Sequence, residues 1–312
     1  MYVAGENRRD SLAELPRERA AHGRPSRGRQ RKPINDKDMI QIENLHYAYA
    51  GSRKTVFNDF NLRLENNRIY GLLGKNGTGK STLLYLICGL LRQKQGTITI
   101  DGIDSRKHDP ELLSEMFIIP EEFDLMPVKL EDYILLNKPF YPRFDREILM
   151  GCLSDFELNP DINLKQLSMG QKKKVYMSFA LAANTRYLFM DEPTNGLDIP
   201  SKSQFRKVIA NNMTDDRTLV ISTHQVHDVE SLLDHIIMLD QSRLKLDAGV
   251  ADITERYTFQ FRAPGEPMDD VLYAEPSLQG NAVIAKKRPG DEDTTLNLEL
   301  LFNAVVKGKL SL

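Results

Sequence analysis

From Met39 onward the chain alternates short apolar runs with amphipathic stretches. MIQIENLHYAY (39–49) and FNDFNLRLENNRIYGLLG (57–74) place apolar and polar residues in turn, the period of half-buried strands. STLLYLICGLL (81–91) is mostly apolar and predicts a buried helix. GTITIDG predicts a strand ending in a turn, and MFIIP another short strand. Residues 125 to about 183 follow a mostly helical pattern. YLFMD and TLVIST are apolar strands, each with a polar loop and a helix expected after it. HIIMLD and RLKLDAG predict a closing hairpin. Apolar strands leading into helices imply an α/β fold with a mostly parallel sheet and helices on both faces. From about residue 252 the helix rhythm is lost. There YTFQFRA, AVIAKKR and TLNLELLFNAVV predict a small strand-and-helix appendage.

Length and composition change this picture little. The 312 residues suffice for one large domain and a smaller one, and the 41% hydrophobic content fills a sizeable core. A formal net charge of -2 points to neither nucleic acid nor an anionic membrane. Residues 1–38 stand apart: Arg and Lys outnumber acidic residues, Gly, Pro and Ser are scattered through, and apolar content is low. A disordered basic extension is expected there, with Met39 a plausible internal start. Its function is open between contact with RNA or anionic lipid and none. Cys88 and Cys152 sit in apolar, helical contexts and read as reduced core residues. No run reaches the roughly 20 apolar residues that cross a bilayer, and the N-terminus lacks the apolar region of a secretory signal. The expectation is a cytosolic chain that is able to dock on a membrane protein.

The chemistry starts at residues 74–81, GKNGTGKS, which match GxxxxGK[ST] in full. The context is the required one, an apolar strand before and a helix after. Gly74, Gly77 and Gly79 let backbone N–H groups around Asn76 and Thr78 converge on phosphate oxygens. The helix start adds a field that favours negative charge. Lys80 reaches the β and γ phosphates, Ser81 offers its hydroxyl to Mg²⁺, and Thr82 helps fix the loop. A second strand, RYLFMDEP, ends in Asp191 and Glu192, at the strand end where open α/β sheets bind ligands. Asp191 suits Mg²⁺ through its water shell, and Glu192 suits the polarisation of an attacking water. Alone, the pair would also pass for acidic turn residues before Pro193.

These marks, with LSMGQ at 167–171, FMDEPTNGLD at 189–198 and His224 in VISTHQ, resemble the ATP-binding subunits of ABC transporters over residues 40 to about 250. The resemblance implies a P-loop NTPase core with a parallel-rich sheet, an antiparallel β portion and a helical signature subdomain. The domain expectation is 1–38 extension, 39–251 ATPase with the helical part at about 122–180, and 252–312 appendage. By resemblance, two such domains, in a homodimer or heterodimer, trap two ATP molecules head to tail. Ser168, Gly170 and Gln171 would close over the partner's nucleotide, Asp198 would lie in the loop crossing between subunits, and His224 would contact the γ-phosphate. Tyr49 would stack on adenine, with Tyr47 close enough to be confused with it. Glu192, His224 and Lys80 would be catalytic; ATP and Mg²⁺ would be the cofactors. A separate transmembrane permease would be the partner, placing the chain on the cytoplasmic face of the membrane.

Each residue has a plainer reading on its own. Ser168 is also a good helix N-cap, His224 a satisfied histidine after a strand, and Tyr49 sheet packing. Two departures from the family pattern stand out. Met169 replaces a glycine of the signature, and Pro120-Glu121 replaces Pro-Gln. Glu121 has the reach to bind the cation directly and adds negative charge beside a triphosphate, so a steep Mg²⁺ dependence is expected. KPFYPRFD at 138–145 is either a permease contact or packing within the helical region. LSMGQKKK and the short tail favour export. A soluble ATPase clamp on ribosomes or nucleic acid is the alternative. One cradle, one LSMGQ and no sustained heptad run count against it, and no specific nucleic acid is expected.

Overall fold

The computed structural model describes residues 39–52 and 54–310; the expected basic extension at 1–38 lies outside the described residues. Strands β1 (Met39–Tyr47) and β2 (Phe57–Glu65) pair antiparallel, with Ile40, Ile42, Leu62 and Leu64 all facing inward. Strand β3 (Ile69–Leu73) leads into the glycine loop and helix α1 (Lys80–Ile87). β4 (Gln95–Ile100) and β5 (Ile103–Asp104) complete a four-stranded antiparallel sheet in the order β2-β1-β4-β5. The stretch 57–74 expected to alternate throughout is thus two strands in two sheets. Its second part is buried at all five positions, because β3 is central and covered on both faces.

Helix α2 (Pro110–Ser114) precedes β6 (Met116–Ile119). Helices α3 (Leu130–Asn137), α4 (Arg146–Asp155) and α5 (Met169–Ala182) follow, and α5 returns the chain to β7 (Tyr187–Asp191). Helix α6 (Ile199–Asn211) leads to β8 (Thr218–Thr223), and β9 (His235–Asp240) pairs with β10 (Arg243–Gly249) as the expected hairpin. The central sheet runs β10-β9-β3-β8-β7-β6, parallel except for β10. The helix expected after TLVIST is instead two 3₁₀ turns, Val226–Asp228 and Glu230–Leu232, whose Val229 is fully buried.

Alternation across the central sheet divides the core. Tyr70, Leu72, Phe189 and Val220 pack with Leu83 and Leu84 of α1 and the inner face of the antiparallel sheet. Leu73, Met190, Leu219 and Ile221 pack with Phe179 of α5 and Phe205 of α6 on the other side. Arg217, the largest fully buried side chain, donates to the carbonyls of Asn212 and Leu181 and to Asn184 Oδ1, tying the ends of α5 and α6 together. Burial pulls its pKa down to about 10. Cys88 and Cys152 are free and buried; burial pushes both thiols up, Cys152 to about 12, so neither is a reactive thiolate.

Helix α7 (Val250–Arg256) opens the C-terminal elements: β11 (Tyr257–Arg262), β12 (Val271–Ser277) and β13 (Gly280–Lys286) in the order β11-β13-β12, then α8 (Leu298–Val306). β12 carries Pro276, which masks it in the sequence, but it is an edge strand, where a missing donor is tolerated. Leu298 and Leu301 of α8 belong to the same buried cluster as Met238 and Leu246, and Leu298 N–H donates to Glu230 in the turn after β8. Leu301→Ala is therefore expected to cost the whole fold about 3 kcal/mol, within the usual span for a buried leucine. Urea unfolding followed by far-UV dichroism checks it; a change below about 1 kcal/mol would mean that α8 contributes little to this core.

Candidate active site

The ends of β3, β7 and β8 lie side by side, and parallel pairing sets what meets there. Asp191 is level with Ser222, and Leu73 with Thr223. Just past β3 the glycine loop folds over the strand ends. A Cβ on Gly74 would sit 2.6 Å from the Leu239 carbonyl oxygen and 2.6 Å from Thr78 Oγ1, and Gly79 holds φ +101 at the cap of α1. Both positions demand glycine. The Thr78 hydroxyl donates to the Lys75 carbonyl at 2.8 Å, closing the loop from within.

Lys80 begins α1 and is buried, its Nζ donating to the Gly74 carbonyl at 2.8 Å and standing 3.5 Å from Glu192 Oε1. The expected catalytic residues are brought together around that carboxylate. Thr223 Oγ1 donates to Glu192 Oε2 at 3.0 Å, the His224 backbone N–H donates to Oε1 at 3.1 Å, and His224 Nδ1–H donates to Oε1 at 2.8 Å. His224 is half-exposed rather than a buried packing histidine. The Glu192 backbone takes φ +46, left-handed for a non-glycine residue, with its N–H bonded to the Ser222 carbonyl. Strain of this kind persists only where the surroundings over-determine it.

Asp191 is 1% exposed, and its Oδ1 accepts from Ser222 Oγ at 2.7 Å. Its Oδ2 is buried without a hydrogen-bond partner. Burial raises the Asp191 pKa, while the Ser81 and Ser222 hydroxyls lower it. Ser81 and an orphaned buried carboxylate oxygen fit a hard divalent cation that keeps most of its water shell. No cluster of three or more His, Cys, Asp or Glu capable of holding a metal alone occurs among the described residues.

Tyr47 and Tyr49 separate clearly. Tyr47 is 6% exposed and belongs to the core, while Tyr49 is 44% exposed beyond the end of β1, its hydroxyl hydrogen-bonded to Thr82 Oγ1 at 2.8 Å. Thus an exposed aromatic is tethered directly to the helix that follows the glycine loop.

The other expected residues gather on a different surface. Ser168 caps α5 in a reciprocal box: its hydroxyl accepts from the Gln171 N–H, and the Gln171 side chain accepts from the Ser168 N–H. Asp198 caps α6, accepting from Ser201 N–H, and the bonds from Ser201 hold its pKa low. The two helix starts adjoin, since a Cβ on Gly170 would lie 3.8 Å from the Gly196 carbonyl oxygen. Met169 is 59% exposed there. Among the described residues no hydrogen bond joins 168–171 to the 74–82 loop. Glu121 Oε1 accepts from Asn195 Nδ2 at 2.9 Å. Thr223, Lys173 and Asn195 belong to the site yet escape the motif reading. For Thr223 the signal was available: it ends a strand directly before His224.

A groove of about 450 Å³ opens on the far side of β6, lined by Leu90, Leu113, Phe117, Phe140, Tyr141 and Tyr176. The aromatic run at 138–145 is split in two. Phe140 is 67% exposed, whereas Tyr141 packs on Phe117 at 5.2 Å and Phe144 on Phe179 at 5.3 Å.

Comparison with known proteins agrees with this geometry. The family described as ABC transporter matches residues 57–195. The methionine import ATP-binding protein MetN of Carboxydothermus hydrogenoformans is 32% identical over 270 residues, 80% of this chain and 74% of that protein. The ABC transporter ATP-binding protein YtrB of Bacillus subtilis is 28% identical over 223 residues, 70% of this chain and 75% of that one. A solved structure of an ATP binding subunit of an ABC transporter shares the fold with a TM-score of 0.62 at 24% identity, covering 69% of this chain and 91% of that chain. With 32% identity to an ATP-binding relative across most of both chains, and the family model matching through the glycine loop to the loop after β7, the chain belongs to the family of ATP-binding, ATP-hydrolysing subunits of ABC transporters.

Proposed function

We propose that this chain binds MgATP at the 74–82 loop, pairs with a second ATP-binding domain, and drives a separate permease by closing and opening that pair. The observation that carries the reading is Glu192, a buried carboxylate at a strand end, held by Thr223, His224 and Lys80. When bound, Mg²⁺ neutralises charge on the phosphate oxygens. Ser81 and Asp191 would hold it, and Glu121, whose Oε1 is bonded to Asn195, still has Oε2 to offer.

The remaining chemistry belongs to the chain. Backbone N–H groups around Asn76, Gly77 and Gly79 cradle the phosphates, and Tyr49 stacks on the base. Lys80 shifts its donors from the Gly74 carbonyl to the β and γ phosphates and stabilises the transferring phosphoryl group. Glu192 accepts a proton from water lined up behind the γ-phosphate, and His224 holds both Glu192 and that phosphate in register. Ser168, Gly170 and Gln171 close over the partner's γ-phosphate with the start of α5, and Asp198 lies at the crossing loop. Hydrolysis removes the group that bridges the two halves, so they part.

No helix among the described residues is long and apolar enough to cross a membrane. In this reading the spans belong to the permease, one of whose cytoplasmic helices lies in the groove beneath Phe140, leaving the chain peripheral on the cytoplasmic face. The domain division expected from sequence, with 252–312 as an appendage, is retained for this function, and export remains the direction that the LSMGQKKK run favours.

Two experiments test these points. With ATP, the Glu192→Gln chain is expected to double its 35.6 kDa mass in light scattering, as a closed pair does. A 35.6 kDa species that retains ATP would contradict pairing between two copies. Glu121→Gln is expected to raise the Mg²⁺ concentration for half-maximal hydrolysis about threefold, since it removes a carboxylate charge that attracts the cation. An unchanged Mg²⁺ profile would remove Glu121 from the cation's surroundings.

A further inference from the structure

Lys173 lies in the second turn of α5, next to the Ser168 cap, and is 4% exposed. The position is costly for a cation. Burial strips its water, and the positive end of the helix repels it. Burial accordingly lowers its pKa, while Glu121, Glu192 and Asp191 at longer range raise it. Its hydrogen-bond partners are two carbonyl oxygens: Glu192 at 3.1 Å and Asn195 at 2.9 Å. Both lie in the loop after β7 that starts with the left-handed Glu192. The Glu192 peptide is thus held on both sides, its N–H by the Ser222 carbonyl and its C=O by Lys173. Asn195 is gripped twice as well, its carbonyl by Lys173 and its side-chain amide by Glu121 Oε1 at 2.9 Å.

We infer that Lys173 is a positioning residue for hydrolysis, clamping the Glu192 and Asn195 carbonyls so that the Glu192 carboxylate is aimed only while the start of α5 is seated, with Glu121 bracing the far side of Asn195. The inference rests on Glu192 being the base. It gives the two ends of the site a physical link, because the ammonium that fixes the Glu192 backbone is two residues beyond Gln171 of the capping box. It also gives Glu121 a second function beside the cation: its charge offsets Lys173 through Asn195.

The test uses the full chain with Lys173→Met, Lys173→Arg, Asn195→Ala and Glu192→Gln, measuring MgATP hydrolysis and, separately, binding of trinitrophenyl-ATP. Lys173→Met is expected to lower kcat about 30-fold with KM and probe affinity within about twofold, the signature of a group that matters only in the transition state. Lys173→Arg, which keeps the cation and its donors, is expected to recover kcat to within about fivefold of the parent. Asn195→Ala on the exposed loop is expected to lower kcat about threefold at unchanged KM. Unchanged kcat in a folded Lys173→Met, or loss of probe binding that matches the loss of turnover, overturns the inference. Should Lys173→Met fail to fold, Lys173→Gln, which keeps one polar donor group without the charge, decides by the same readouts: unchanged kcat overturns, a lowered kcat at constant KM supports. Normal turnover in Glu192→Gln would instead remove the base itself. That failure is distinct from normal turnover in Lys173→Met beside an inactive Glu192→Gln.

Discussion

Glu192→Gln is expected to lower kcat for ATP hydrolysis at least about 100-fold, the lower end of what a positioned general base supplies. Glutamine keeps the shape but has a single oxygen, so one of the Thr223 hydroxyl and His224 Nδ1–H keeps its acceptor while the other meets the NH2 group. What is lost is the ability to take a proton from water. Removing a buried negative charge beside the phosphate site is expected to leave ATP affinity unchanged or higher. Single-turnover hydrolysis and equilibrium ATP binding separate the two effects. Hydrolysis within about fivefold of the parent would move the base elsewhere.

Lys80→Met is expected to fail differently. The side chain is buried at the mouth of the glycine loop, and methionine matches its length without charge or donors. Loss of one preorganised donor costs about 100- to 1000-fold in kcat. Here ATP affinity should also fall, by about tenfold or more, because the ground-state phosphates lose the same contact. Glu192 would in addition lose its 3.5 Å partner, so a modest loss of stability is expected as well. Near-parental affinity by calorimetry would mean that Lys80 stays on the Gly74 carbonyl when nucleotide binds.

Much of this site was legible in the sequence because motif chemistry depends on spacing within one element. The glycines, Lys80 and Ser81 all belong to one strand-loop-helix unit, so their order along the chain is their order in space. Asp191 and Glu192 were equally readable as a strand end. The bracing was not. Thr223 and Ser222 reach Glu192 and Asp191 through sheet pairing between residues 31 apart. Lys173 reaches the loop after β7 from the interior of α5, and nothing in the run of three lysines marks it off from Lys172 and Lys174. The plain N-cap reading of Ser168 is what the structure shows, with the start of α5 formed and its Ser168 and Gln171 exposed. In the fold, β12 was hidden by Pro276, and the turns after β8 replaced an expected helix because the C-terminal elements cover Val229 and Val226.

The most direct test of the account is to recover the Glu192→Gln chain from native-cell membranes in mild detergent with ATP, and to repeat it with Phe140→Asp added. The account predicts a polytopic membrane protein in near-equal amount, retaining ATP, and loss of that protein but not of ATP when Phe140 in the groove is changed. Recovery with ribosomal or DNA-bound material and no membrane protein, indifferent to Phe140, would contradict it and leave an ATP-driven clamp in its place.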